Sequence, residues 1–290
     1  MSKIIVIVGS TGVGKTKLSI MLAKYYNAEI INGDSVQVYK ELNIGSAKVT
    51  NDEMDGIKHH LIDIKEISDE YTVYGYQKDG RKIINELISK NKNIIIVGGT
   101  GLYIKALLYD YKFEEIKELN DYNDYTNEEL YNLVLKKDNN TNIHINNRKR
   151  MIAFLNRENE SNNGNNKIYD FITIGLTTDR QNLYNIINKR VDKMIDNGLI
   201  DEAKKLYLKC PNSRILNSAI GYKELVEYFK NNNNLDYIID KIKQNSRHYA
   251  KRQYTFFNHQ MDVNWFNVDY ENFNNTINDV KKFIDNINIK

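Results

Sequence analysis

Chemistry is first suggested by the run Gly9-Ser10-Thr11-Gly12-Val13-Gly14-Lys15-Thr16, which matches G-x-x-x-x-G-K-[ST]. In such a loop the glycines let successive main-chain N–H groups curl around phosphate oxygens, and the following helix N-terminus adds partial positive charge. Lys15 is placed to neutralise a phosphate oxygen, and the Thr16 hydroxyl to ligate Mg²⁺. A dinucleotide loop fits poorly, because the glycines do not fall at G-x-G-x-x-G and a lysine occupies the turn.

A missing acid narrows what the loop serves. P-loop hydrolases close a later apolar strand with a carboxylate that organises Mg²⁺. Here the apolar run Asn93 to Val97 ends in Gly98-Gly99-Thr100-Gly101. The carboxylate follows an earlier run instead, Ala28 to Ile31, as Asp34 in Gly33-Asp34-Ser35. An acid overlooking a substrate beside bound phosphates suits group transfer better than a motor or switch. An apolar-walled pocket there would hold an isoprenoid as readily as a nucleoside.

The elements that must position these groups are legible in outline. Residues 3–8 are β-branched and apolar, then Leu18, Met21, Leu22 and Tyr25 recur at helical spacing. Alternating strands and helices, including an amphipathic stretch near 76–90, predict an α/β fold: a P-loop NTPase-like parallel sheet flanked by helices. Residues 1–110 form the first part of this core. Apolar density falls over 111–167, read as a small helical insertion subdomain, with 159–166 a flexible turn. Residues 168–290 return to the core through a strand from Tyr169 to Thr177. Helices broken at Gly198, Pro211 and Gly221 follow, then a long helix near 236–258, a strand from Val263 to Val268 and a terminal helix.

Composition excludes some classes. The 290 residues include one cysteine, Cys210, so neither a disulfide framework nor a Cys-based zinc site is available, and a reduced cytoplasmic setting is expected. The apolar run before Gly9 is far too short for a membrane span. A formal net charge of +3 implies little, so any nucleic-acid argument rests on where the cations sit. Lys241, Lys243, Arg247, Lys251 and Arg252 fall in a stretch without carboxylates, interleaved with Tyr249, Tyr254, Phe256 and Phe257. That pattern suits a helix laid along a phosphate backbone, its aromatics packed on the core or stacked on bases. Arg148, Lys149, Arg150 and Arg157 form a second basic cluster in the insertion, and the two clusters together suggest a clamp. His59 and His60 suit loop or capping roles better than metal ligation.

Taken together, GSTGVGKT at 9–16, GDSVQVYKELNIGSAK at 33–48, HHLID at 59–63, VGGTGLYIKALL at 97–108, DRQNLYNIINKRVDKM at 179–194, AIGYKE at 219–224 and RHYAKRQYTFF at 247–257 resemble the bacterial-type tRNA dimethylallyltransferases. The chain departs from that family's usual pattern at Ser10 and Ala153, and in IHINNRKR at 143–150, which lacks a proline. The resemblance implies Asp34 as general base for an adenine amine, Thr100 positioning the reacting groups, and Lys15, Thr16 and Mg²⁺ holding a diphosphate. It also implies tRNA contacts from Asp34, Ser35, Val36 and Gln37, from Lys149 and Arg150, from Gly221, Tyr222 and Lys223, and from Arg247, Lys251, Arg252 and Gln253. The implied partners are dimethylallyl diphosphate and the tRNA anticodon stem-loop, bound by a monomer. Other readings of the same residues are an adenylate isopentenyltransferase using free nucleotides, a small-molecule kinase binding ATP in the P-loop, and a non-catalytic RNA-binding protein.

Overall fold

Strand β1 (Ile4–Gly9) is apolar and buried along its whole length, the composition of a strand covered on both faces. In the computed structural model, which describes residues 2–113, 120–156, 165–231 and 234–287, it lies inside a six-stranded sheet. Arg157 and most of the 159–166 turn lie outside the described residues. After β1 come α1 (Lys15–Tyr26), β2 (Ala28–Asn32), α2 (Asn51–Met54), β3 (His59–His60), α3 (Val73–Ser89), β4 (Asn93–Val97) and α4 (Gly101–Leu108). Then come α5 (Asn127–Lys137), α6 (Arg148–Leu155), β5 (Ile172–Thr177), α7 (Arg180–Asp196), α8 (Leu199–Lys209), α9 (Tyr222–Asn231), α10 (Leu235–Gln260), β6 (Asn264–Asn267) and α11 (Phe273–Asn286).

The strands pair in parallel in the order β3-β2-β4-β1-β5-β6. Alternation along β1 assigns its side chains to the two faces: Ile4, Val6 and Val8 join one apolar cluster, Ile5 and Ile7 the other. The chain runs from β1 outward to β2 and β3, comes back to insert β4 beside β1, then crosses to β5 on β1's other side. The strand order therefore reverses around β1 and β4. In open α/β sheets the ligand crevice lies beyond the carboxyl ends of strands at such a reversal.

Several boundaries differ from expectation. The strand expected from Tyr169 begins at Ile172, because that residue pairs with Ile5 near the start of β1 and leaves 169–171 without a ladder partner. β2 runs one residue further, to Asn32, and the expected 263–268 strand shortens to β6. His59 and His60 form a short edge strand on β2 that the sequence did not announce. His60 Nε2 donates to Glu29 at 2.7 Å and His59 Nδ1 donates to the Ile57 carbonyl at 2.9 Å, so both imidazoles have structural partners.

The chain divides into two compact units, Met1–Tyr109 with Lys167–Lys290, and Asp110–Asn166. In the smaller, helices α5 and α6 close over Leu130, Val134, Ile143 and Met151. Thr126 caps α5 in a capping box with Glu129. In the larger, α7 to α10 pack around a further cluster containing Leu199, Leu206, Tyr222 and Ile238. No helix among the described residues is long and apolar enough to cross a membrane.

Candidate active site

The P-loop connects β1 to α1 in the expected way. Gly12 and Gly14 take φ of 88° and 89°, a region costly for any residue with a Cβ. Helix α1 starts at Lys15 with no side-chain cap and no acid in its first turn, so its leading N–H groups remain open to an anion. Val13 is buried and contributes only main chain to the loop. Lys15 Nζ folds back to donate to the carbonyls of Gly9 at 3.0 Å and Ser10 at 2.7 Å. Burial and then the neighbouring Arg190 cation push its pKa down to about 7, against an opposing pull from Asp34. The Thr16 side chain is exposed.

Asp34 lies two residues beyond β2 and is held by its own chain. Asn32, buried, accepts the Asp34 N–H at 3.0 Å and donates to the carbonyls of Asp34 at 3.0 Å and Leu61 at 2.9 Å. Asp34 Oδ1 accepts from Val36 N–H at 2.8 Å and Gln37 N–H at 3.4 Å. The carboxylate is thereby oriented, with Oδ2 outside that turn. Thr100, the residue before α4, accepts the Ser35 N–H at 3.0 Å through Oγ1 and donates to Ser35 Oγ at 3.2 Å. Close approach of the two loops depends on glycine, since a Cβ on Gly98 would lie 2.2 Å from the Gly33 carbonyl carbon.

The two loops and α10 are joined by one side chain. Gln253, buried, accepts the Thr11 N–H at 3.0 Å and donates to the Gly99 carbonyl at 3.0 Å. Ser10 Oγ donates to the Ala250 carbonyl at 3.1 Å, a second tie between P-loop and α10. Gln253 therefore braces the P-loop against the turn after β4. Tyr222, expected to contact RNA, is instead wholly buried, with its hydroxyl bound to Glu202.

A cavity of about 790 Å³ joins these parts. Thr11, Gly12, Gly14, Lys15 and Thr16 line it together with Asp34, Ser35, Val36 and Gln37, and with Gly221, Lys223, Arg252 and Gln253. Two further members join them: Arg190, which the sequence reading missed, and Tyr249, expected only as an aromatic packed on the core or stacked on bases. Arg190 lines the cavity from α7, and its charge reaches both Lys15 and Asp34. Ile187, Arg190, Val191 and Met194 all line the cavity at helical spacing, so a cation within an apolar stripe was the available signal. Tyr249 lines it from α10, with Thr100 and Gln253 as side-chain partners, and burial pushes its hydroxyl pKa up to about 12.

The basic segments separate on inspection. On α10, Lys241 pairs with Glu227 at 2.8 Å and Lys243 with Asp192 at 2.6 Å. Arg247 donates to Asn188 Oδ1 at 2.6 Å and lies over the Tyr184 ring. Lys251 and Arg252 are exposed. Phe257 is core, Phe256 packs partly buried beside it, and Tyr254 lies against Trp265. In the smaller unit, Arg148 donates to the carbonyls of Tyr122, Asn123 and Tyr125, whereas Lys149 and Arg150 are exposed.

No group of three or more His, Cys, Asp or Glu able to hold a metal occurs among the described residues. Thr16, at the start of α1, lines the cavity beside Lys15, so its hydroxyl is the group that would hold a divalent ion brought in on phosphate oxygens.

The family model described as IPP transferase matches residues 37–260. A tRNA dimethylallyltransferase from Enterococcus faecalis is 44% identical over 92% of both chains, and one from Anoxybacillus flavithermus is 43% identical over 98% of this chain and 96% of its own. Among solved structures, the full-length tRNA isopentenylpyrophosphate transferase of Bacillus halodurans superposes with a TM-score of 0.78 at 41% identity, covering 98% of this chain and 96% of that one. A eukaryotic dimethylallyltransferase acting on tRNA gives a TM-score of 0.78 at 27% identity, covering all of this chain and 81% of the other. With a P-loop cavity, this sheet order and relatives matched over nearly its whole length, the chain belongs to the IPP transferase family of tRNA dimethylallyltransferases.

Proposed function

We propose that this protein transfers a dimethylallyl group from dimethylallyl diphosphate to N6 of the adenosine 3′-adjacent to the anticodon, position 37, of tRNA, releasing diphosphate. The observation that carries this reading is a single cavity that brings two cations, Lys15 and Arg190, together with an oriented carboxylate, Asp34. The relatives named above support the acceptor class.

An exocyclic adenine amine is a far weaker acid than a carboxylic acid of pKa about 4, so Asp34 does not deprotonate it in advance. Proton removal accompanies bond formation. As N6 approaches the allylic carbon, the C–O bond to diphosphate breaks, its electron pair leaves with the diphosphate, and the N6 proton passes to Asp34. Lys15, Arg190 and the open N–H groups of the P-loop receive the negative charge growing on the leaving group. Mg²⁺, bound through the diphosphate and Thr16, would supply further charge neutralisation there. Thr100 holds Ser35 beside Asp34 and so sets where the acceptor amine meets the base.

To reach this cavity the adenine must leave its stack, at a cost of a few kcal/mol that is lowest in a loop. The exposed cations Lys251 and Arg252 on α10, and Lys149 and Arg150 on α6, offer phosphate contacts that offset it. The loop would hold a nucleotide's phosphates equally well, and an acid beside them also suits a kinase; what disfavours the kinase reading is that the relatives named above are tRNA prenyltransferases. Incubation of the purified protein with labelled dimethylallyl diphosphate, Mg²⁺ and unmodified tRNA, followed by nucleoside analysis, tests the reading. Label in N6-dimethylallyladenosine at one anticodon-loop site is expected, and label in free AMP but not in tRNA would overturn the acceptor assignment.

A further inference from the structure

Behind the 45–47 stretch that lines the cavity, three successive main-chain donors converge on one carboxylate. The N–H groups of Asn43, Ile44 and Gly45 lie 3.1, 3.0 and 3.3 Å from the carboxylate oxygens of Glu202 on α8. The Tyr222 hydroxyl donates to the same carboxylate at 2.6 Å and accepts the Gly45 N–H at 3.1 Å. The packing is as close as the hydrogen bonding: a Cβ on Gly45 would lie 2.5 Å from the Tyr222 ring. Glu202 does not line the cavity, whereas Gly45, Ser46 and Ala47 do.

This loop is tied in turn to the catalytic turn. Gln37 Nε2 donates to the carbonyls of Ser46 at 3.3 Å and Ala47 at 3.4 Å, while the Gln37 N–H lies 3.4 Å from Asp34 Oδ1. A continuous set of hydrogen bonds thus runs from Glu202 through the 43–47 wall and Gln37 to Asp34. Every group around Glu202 is a donor, so an ionised carboxylate is the side chain that satisfies them. A glutamine there would turn an NH₂ toward at least one N–H or O–H and leave it unpaired.

We propose that Glu202, acting with Tyr222, is a positioning residue: it holds the 43–47 wall, and Gln37 with it, in the shape that receives the acceptor base beside Asp34. The proposal rests on the reading of that part of the cavity as the part that receives the acceptor. The P-loop is held separately, by Gln253 and Ser10, so the diphosphate part is expected to be indifferent to the change.

Steady-state kinetics of Glu202→Gln and Tyr222→Phe, varying tRNA and dimethylallyl diphosphate in turn, test it. Glu202→Gln should raise KM for tRNA about tenfold and Tyr222→Phe a few-fold, with KM for the diphosphate within about twofold of wild type. A merely stabilising role would lower the amount of active enzyme and so the maximal rate, leaving both KM values alone. That outcome, or an equal rise in both, overturns the proposal. Should Glu202→Gln fail to fold, Tyr222→Phe, which keeps the ring against Gly45, decides. Amide hydrogen exchange reads the anchor without turnover: at least tenfold faster exchange over residues 43–47 in either variant is expected, and unchanged exchange in both overturns it. Absence of prenylation by the wild type would reject the proposed function itself, a result distinct from either.

Discussion

The two parts of the cavity are built on different plans. The part we read as holding the diphosphate is chiefly one contiguous loop, Gly9 to Thr16, whose main-chain N–H groups are set by Gly12 and Gly14 with φ near 90°, joined by Arg190 from α7. The part we read as receiving the acceptor is assembled from dispersed pieces: β2's exit, the Gly98-Gly99 turn after β4, the 45–47 loop and α10. A local loop tolerates almost any surroundings provided its backbone can bend. A dispersed site depends on every element that brings its parts together. Damage should therefore be sharp and chemical in the first part, and divisible into base, wall and brace in the second.

The largest effect expected is at the base. Asp34→Asn keeps the Oδ1 that accepts Val36 N–H, so the turn should persist while turnover falls roughly 10²–10⁴-fold with little change in tRNA affinity. Single-turnover rates against tRNA binding check this, and near-wild-type turnover removes Asp34 from its role. Next come the cations. Lys15→Ala should lower kcat/KM by about 10²–10³, and Arg190→Gln by about 10–10², measured with dimethylallyl diphosphate as the varied substrate. If Arg190→Gln instead affects tRNA alone, that cation belongs to the acceptor part and the division drawn above is wrong.

A smaller effect follows from the lowered pKa of Lys15. In the free protein burial and Arg190 hold it near 7, and a bound diphosphate favours the charged form, so above about pH 7 binding must take up a proton. Diphosphate affinity should weaken as pH rises from 7 toward the ordinary lysine range. Calorimetry in buffers of different ionisation enthalpy should show the uptake, which Lys15→Met should abolish. The sign for stability is opposite: over the same window the unfolded chain holds a proton that the folded one has lost, so the free protein gains stability as pH rises. The smallest effects belong to the RNA cations. Lys251→Ala and Arg252→Ala should each reduce the salt slope of tRNA binding by about 1 and affinity a few-fold. Lys241→Ala and Lys243→Ala should leave the slope unchanged, because Glu227 and Asp192 already neutralise them.

Those last four residues show what the chain read alone does not separate. Along α10 all five cations look alike, yet packing against α7 and α9 removes two into ion pairs and ties Arg247 to Asn188. Tyr222 and Gln253 sat in motifs associated with RNA, and the fold turns both inward as braces. By contrast the P-loop, the position of Asp34 after β2 and the Gly-Gly-Thr sequence after β4 were all visible beforehand. Each is a short stretch whose residue types dictate its own backbone. His59 and His60 gave no strand signal because two residues carry no periodicity, and their pairing exists only because β2 offers an open edge.

By itself the sequence determined a phosphate-gripping turn, the alternating strands and helices behind it and an acid displaced from its usual strand, since glycine conformation, hydrophobic period and residue order act over a few neighbouring positions. Tertiary structure alone decided that Arg190 joins Lys15, that Glu202 holds the 43–47 wall and that Lys251 and Arg252 remain exposed to solvent. Those outcomes are pairings between groups far apart along the chain, and the partner each charge or hydroxyl finds is set only when the helices pack.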